Sequence, residues 1–346
     1  MSEPRLRRIR AALDVLGLAR AHKIAGPLTR GLGVIFTLHH VRPDDGRLFA
    51  PNKLLEIAPD FLETVLGVLA EADYDVVSLN EAIERIERPG ERRFATFTFD
   101  DGYRDVRDHA LPVMRRHNAP STLFIASSFA DGAGELWWLD LEHAIARMDA
   151  FEFGGARIKS ATVEDKYAAW NHVYWRLRDM GEMQMRGEIA ALVRASGAQT
   201  SGLSAQLCMG WEELRALRDD PLVTIGNHTV SHFMLAKHPE AIALAEIADA
   251  QSRIARELGE VPRHIAYPVG DPTSAGPREF RMARELGFRS GLTTRLGMLH
   301  APHRDHLHAL PRVSLNGLFQ EKKYAEMFVS GLPFAINNRF RKLNVG

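Results

Sequence analysis

The segment TFTFDDGYRD, residues 96–105, ends an apolar run on two adjacent carboxylates and a glycine. Burying a carboxylate costs free energy unless it meets a partner or loses its proton, so the doubled Asp100–Asp101 needs a reason. Side chains alternate faces along a strand, which sets Thr96, Thr98 and Asp100 on one side and Phe97 and Phe99 on the other. The Phe pair suits an apolar layer beneath helices. The small polar set suits the lumen of a parallel barrel, with Asp100 at the carboxyl end, where such barrels collect catalytic groups. Gly102 lets the chain turn sharply after Asp101. A bare DDG also reads as an ordinary turn or helix cap.

A second segment, GNHTVSH (226–232), follows another strand-like run and carries His228 and His232 four residues apart. That spacing can present two imidazoles to one metal, although 15 histidines in 346 residues give about one such pair by chance. Thr229 stands where a zincin helix has its Glu. Two His and one carboxylate at the same barrel end would form a three-ligand site with an open position, the catalytic type.

The elements that must position these groups are legible as alternation. Strand-like runs at 33–40, 75–79, 94–99, 121–126, 222–226, 264–268, 290–294 and 309–315 alternate with helical patterns such as 59–72 and 240–259. This predicts a parallel α/β sheet closed towards a barrel. Nearly a hundred residues separate the fourth and fifth strands, far more than a crossover helix needs. They contain the segment WWLDLEHAIARM (137–148), a hairpin about Gly154–Gly155 and a helical stretch at 163–196, and are expected to form an insertion over one face. The division predicted is a helical extension (1–32), a barrel (33–316, with the insertion at about 130–210) and a C-terminal tail (317–346).

Lys plus Arg and Asp plus Glu both total 44, which leaves no net field for nucleic acid or another polyanion. The single cysteine, Cys208, excludes an internal disulfide. No secretory signal and no run of eighteen apolar residues is read, so the expected location is cytoplasmic. Arg5, Arg7, Arg8 and Arg10 crowd the first helix, which reads either as a solvated helix or as a peripheral membrane contact. Trp137, Trp138 and Trp211 read as core or as platforms for sugar rings, and Tyr167, Trp170, Tyr174 and Leu177 as packing at helical spacing.

TFDDG (98–102), HTVSH (228–232) and YPVG (267–270), in that order, resemble the motifs of the polysaccharide deacetylases of carbohydrate-esterase family four, which include the nodulation-type chitooligosaccharide deacetylases. The resemblance spans about residues 33–316. It implies a distorted (β/α)7 barrel and metal-dependent hydrolysis of acetyl groups on the N-acetylated sugars of an oligo- or polysaccharide. It also implies a divalent ion, with zinc expected for a His2Asp set, held by Asp101, His228 and His232. Asp100 would be the general base, and Val269, after the proline of the third motif, would give its N–H to the oxyanion, with Tyr267 beside it in the substrate and oxyanion set. The third motif usually begins with an Arg that orients the base; here that position is Ala266, and Arg312 is expected to supply the charge from a later strand. The family's general acid is a late histidine, for which His300, His303, His306 and His308 are candidates, while His39 and His40 end the first strand and stand near the pocket. A small-amide hydrolase on the same barrel and a catalytically degenerate glycan-binding barrel are the alternatives.

Overall fold

The computed structural model describes residues 3–18 and 21–345; side chains are described from Arg8 onward, apart from residues 18 and 21, so Arg5 and Arg7 lie outside the described side chains. Eight parallel strands build the main sheet: β1 (Gly33–Leu38), β2 (Tyr74–Val76), β3 (Arg93–Phe99), β4 (Ser121–Ile125), β5 (Val223–Asn227), β6 (His264–Ala266), β7 (Ser290–Leu292) and β8 (Val313–Ser314). Seven follow one path, β7-β6-β5-β4-β3-β1-β8, while β2 pairs with the start of β3 below the point where β4 joins it. Residues just before β8 bridge the two ends. Leu310 accepts from the Thr293 N–H at 2.9 Å and donates to the Gly291 carbonyl at 2.9 Å, and the Arg312 N–H meets the Arg295 carbonyl at 3.0 Å. The curled sheet is thus the distorted barrel expected.

The parity at residues 96–100 decides what faces inward. Phe97 and Phe99 join Phe36, Leu62, Val65 and Leu66 in the layer between sheet and helices. Ile35, Phe94, Phe124, Ala266, Leu292 and Leu310 fill the lumen instead. Register aligns Thr37 with Thr98 and Thr98 with Thr122, so a band of threonines lies next to Asp100. Small polar side chains there leave room for the groups above them.

The insertion folds as a helix (Trp137–Ala146), a hairpin (Ala150–Phe153 with Ala156–Lys159) and two helices (Val163–Asp179 and Glu182–Ser196). The stretch expected as one helix breaks because Met180 is extended and Gly181 starts the next helix. Of the four residues expected to pack at helical spacing, Trp170 and Leu177 are buried, in one stripe with Val173, while Tyr167 and Tyr174 are half-buried. The C-terminal residues are no loose tail: helix Lys322–Ser330 packs against helix Pro59–Glu71 and against the N-terminal helices Glu3–Leu18 and Ala21–Thr29.

Candidate metal and catalytic site

Three loops at the carboxyl ends of β1, β3 and β5 meet. Asp100 and Asp101 follow β3, and the Asp100 N–H bonds the Leu38 carbonyl of β1 at 2.9 Å. Asp101 (φ 70°) and Gly102 (φ 70°) form a consecutive left-handed pair that turns the carboxylate over the barrel mouth. A Cβ at Gly102 would lie 2.8 Å from Ile125 Cδ1, and its left-handed φ already favours glycine there. The histidine loop is bent in the same way, with Thr229 at φ 66° and His232 at φ 56°. Left-handed backbone at non-glycine residues costs of order 1–3 kcal/mol each and persists where the surroundings over-determine it. Here the surroundings are two buried carboxylates. Glu246 accepts from the Val230 and Ser231 N–H groups at 3.1 and 2.7 Å, and Glu182 of the insertion accepts from Met234 N–H at 2.7 Å.

The result is a cluster of Asp101, His228 and His232, all buried, with one ligand atom of each within 4.8 Å of the others. Asp101 Oδ1 lies 3.4 Å from His228 Nε2 and 3.3 Å from His232 Nε2, yet it is buried with no hydrogen-bond partner. Tetrahedral bonds of about 2.0–2.1 Å to one ion would separate ligand atoms by about 3.3–3.4 Å. His228 Nδ1–H donates to the Ala266 carbonyl at 2.7 Å, which fixes the tautomer and turns the Nε2 lone pair towards Asp101. The donor set fits a divalent ion.

Asp100 is held apart from that cluster by a fork. Arg312 Nη1 and Nη2 donate to Asp100 Oδ1 and Oδ2 at 2.8 and 2.7 Å, while Nε donates to the Thr293 carbonyl at 2.9 Å. Both side chains are buried. Burial pushes the Asp100 carboxyl up, but the Arg312 guanidinium, followed by the His228 imidazole, outweighs it and holds the group below the usual carboxylate range. Burial likewise raises Asp101, and His232 with His228 brings it well below its ordinary value.

Val269 stands in the turn after β6 at φ 60°, a genuine outlier for a β-branched residue, with Gly270 at φ 66°. Its carbonyl accepts from Thr294 Oγ1 at 2.7 Å, while its N–H has no acceptor among the described residues. Tyr267 requires a correction. Its side chain points outward among Leu235, Ile265 and Phe280 and donates to the His308 carbonyl at 2.9 Å, because its parity is opposite to that of lumenal Ala266. It packs the barrel and does not line the site.

The late histidines are also elsewhere. Leu299 pairs with Gly33 at the amino end of β1, and His308 Nε2 bonds the Phe288 carbonyl just before β7. Residues 300–308 therefore lie at the opposite end of the barrel from Asp100. The histidine that does reach the site is His39. It continues the lumenal parity of Ile35 and Thr37, is half-buried, and has no hydrogen-bond partner among the described residues. Burial outweighs the opposing pull of Asp101 and then Asp100 and leaves its imidazole below the ordinary value. Its neighbour His40 is structural, bonded to Asp105 at 2.7 Å and stacked on Tyr103 at 3.6 Å.

The tryptophans are not platforms for sugars. Trp137 and Trp138 are 3% and 6% exposed, and Trp211 is buried with Nε1 on Asp131 at 2.6 Å. Trp138 instead backs the cluster, its ring 4.8 Å from that of His232 and its Nε1 donating to Tyr103 Oη at 3.2 Å. Trp138→Ala is expected to cost about 3–5 kcal/mol of stability in urea unfolding. A loss below about 1 kcal/mol would contradict its place in the core.

A family model described as polysaccharide deacetylase matches residues 87–291, more than half of the chain. No curated protein sequence matches. Among solved structures the fold is similar to that of the Streptococcus pyogenes deacetylase PplD in complex with acetate, at 14% identity and TM-score 0.54 over 82% of this chain and 92% of that one. IcaB from Ammonifex degensii is similar at 18% identity and TM-score 0.51, over 86% and 97% of the two chains. The polysaccharide deacetylase BC0361 from Bacillus cereus gives 14% identity and TM-score 0.54 over 87% of this chain and 68% of that one. Identities this low carry the fold alone.

Proposed function

From the premise that this chain belongs to the polysaccharide deacetylase family, we propose that it hydrolyses the acetamide groups of N-acetylated sugars in an oligo- or polysaccharide. Asp101, His228 and His232 would hold one divalent ion, which we take as zinc because two imidazoles and one carboxylate suit it. The observation that carries this reading is the orphaned Asp101 Oδ1 facing two Nε2 atoms at ligand spacing. When bound, the ion supplies Lewis acidity, which lowers the pKa of water from 15.7 towards about 7.

The remaining chemistry belongs to the chain. Asp100, kept ionised by the Arg312 fork, takes the proton of the attacking water on a carboxylate oxygen. The Val269 N–H, held without an acceptor on its strained turn, donates to the oxygen of the former acetyl carbonyl as charge develops there. His39 would pass to the nitrogen, as the C–N bond breaks, the proton that Asp100 took from water, which releases acetate and leaves a free amine on the sugar. His39→Ala is expected to retain the ion and lose about 10²–10⁴-fold in turnover. Turnover within about threefold of the parent would remove His39 from that role.

Acetate release from chitin oligomers tests the function itself. The expected result is acetate in step with new amine. Release of product only from a small ureide or formamide would transfer the reading to a small-amide hydrolase. Binding of oligomers without any acetate, from protein loaded with zinc, would make the barrel a glycan-binding module.

A further inference from the structure

Two helices from opposite ends of the chain form an exposed apolar patch that the site does not use. Helix Ala21–Thr29 is tied to helix Lys322–Ser330 by Thr29 Oγ1, which donates to the Ser330 carbonyl at 2.6 Å. On its outer face Ile24 and Leu28, one turn apart, are 78% and 85% exposed. Helix Leu332–Asn337 and the turn after it add Ile336 and Phe340, 45% and 69% exposed. Leu28 and Phe340 line one cleft, together with His300 and Lys342. The two apolar pairs are therefore neighbours.

Two further features mark this patch. Arg339 and Phe340 have φ of 52° and 60°, a left-handed pair that is strained for bulky side chains and here holds a phenylalanine out in water. Cations rim the apolar side chains: Lys23 precedes Ile24, and Arg339, Arg341 and Lys342 flank Phe340. All four are exposed, and none has an ion pair among the described residues. Elsewhere on the surface cations are commonly paired, as Lys322 is with Glu71 and Lys323 with Asp14. Unpaired cations around exposed apolar side chains match the interfacial region of an anionic bilayer, with apolar groups at the acyl boundary and cations among phosphates.

We propose that this face docks peripherally on an anionic lipid surface. No described helix is long and apolar enough to cross a membrane, so the contact is superficial. A second copy of the chain is a poorer occupant, because a two-fold contact would set each rim of cations against its own kind. Thr29, His300 and His303, which line the same cleft, lie beside the amino end of β1. Docking there leaves the mouth with Asp100 and Asp101 facing away from the lipid, open to a glycan.

The test is sedimentation of the full chain with vesicles of phosphatidylglycerol and phosphatidylethanolamine, set against vesicles of phosphatidylcholine. Binding is expected to the anionic vesicles only, and to fade as salt rises towards about 1 M, where the screening length shrinks to about 3 Å. Leu28→Asp with Phe340→Asp should abolish it, and Arg339→Glu with Arg341→Glu should weaken it by at least about fivefold per cation lost. Acetate release from a soluble oligomer and the thermal midpoint should stay at parental values in both variants. No binding, equal binding to phosphatidylcholine, or binding that both variants leave intact would overturn the proposal. So would light scattering that shows a dimer dissolved by the same substitutions.

Discussion

Asp100→Asn is expected to lose about 10²–10⁴-fold in turnover while keeping its affinity for zinc. The amide nearly matches the carboxylate in shape but cannot accept the proton of water. The ligand set of Asp101, His228 and His232 does not include position 100. The substitution has a second consequence. Arg312 is fully buried and forked on Asp100, and removing one partner of such a pair leaves an uncompensated charge at a cost of about 3–5 kcal/mol. Urea unfolding of the variant should show that loss, and turnover should be compared at a temperature where it is folded. Asp101→Asn, by contrast, should weaken zinc binding itself. Equal loss of zinc in both variants would refute the division between base and ligand.

Arg312→Ala should move the acidic limb of the kcat/KM profile to higher pH with zinc content unchanged. Asp100 works as a base only when ionised, so activity falls as pH drops through its pKa in the folded enzyme. Burial raises that pKa and Arg312 lowers it to below the ordinary range. Without the guanidinium the burial effect is unopposed from that side, and a close opposite charge is typically worth about 1–3 pH units. The stability sign agrees. A carboxyl with a depressed folded-state pKa adds stability above its unfolded value, and that stability is lost as pH falls through the folded one. Arg312→Ala should therefore also flatten the acid side of the stability profile. Arg312→Lys should restore charge without the two-pronged bond and recover part of the loss. Arg placed at 266, whose side chain enters the same lumen, should rescue some activity in the Arg312→Ala background. A profile that scales down with its acidic limb unmoved would leave Arg312 a structural residue.

Most of the barrel was legible because its strands are buried on both faces and read as short apolar runs between helical periods. All eight expected runs carry strands. The two aspartates were legible for a sharper reason: parity alone divides the Phe side from the Thr and Asp side, and register with β1 and β4 keeps that division. The same parity, extended from Ile35 and Thr37, points to His39, and applied to Ala266 it turns Tyr267 outward. The late histidines were illegible because an LH pair does not say which end of the next strand it sits at. That depends on the chain running back to pair Leu299 with Gly33, a contact between residues far apart in sequence. The tryptophans failed as platforms for a similar reason. Helical spacing cannot tell a face over the mouth from a face against it, and only the packed insertion puts Trp138 behind His232.

The most direct test of the central claim is calorimetric titration of zinc into the chelator-treated chain, with acetate release followed on the same samples. One ion per chain is expected, with acetate release rising in proportion to the sites filled, and with His228→Ala losing both the binding and the activity. Full acetate release from the metal-free chain, or undiminished zinc binding by His228→Ala, would contradict the assignment of Asp101, His228 and His232 as the metal site.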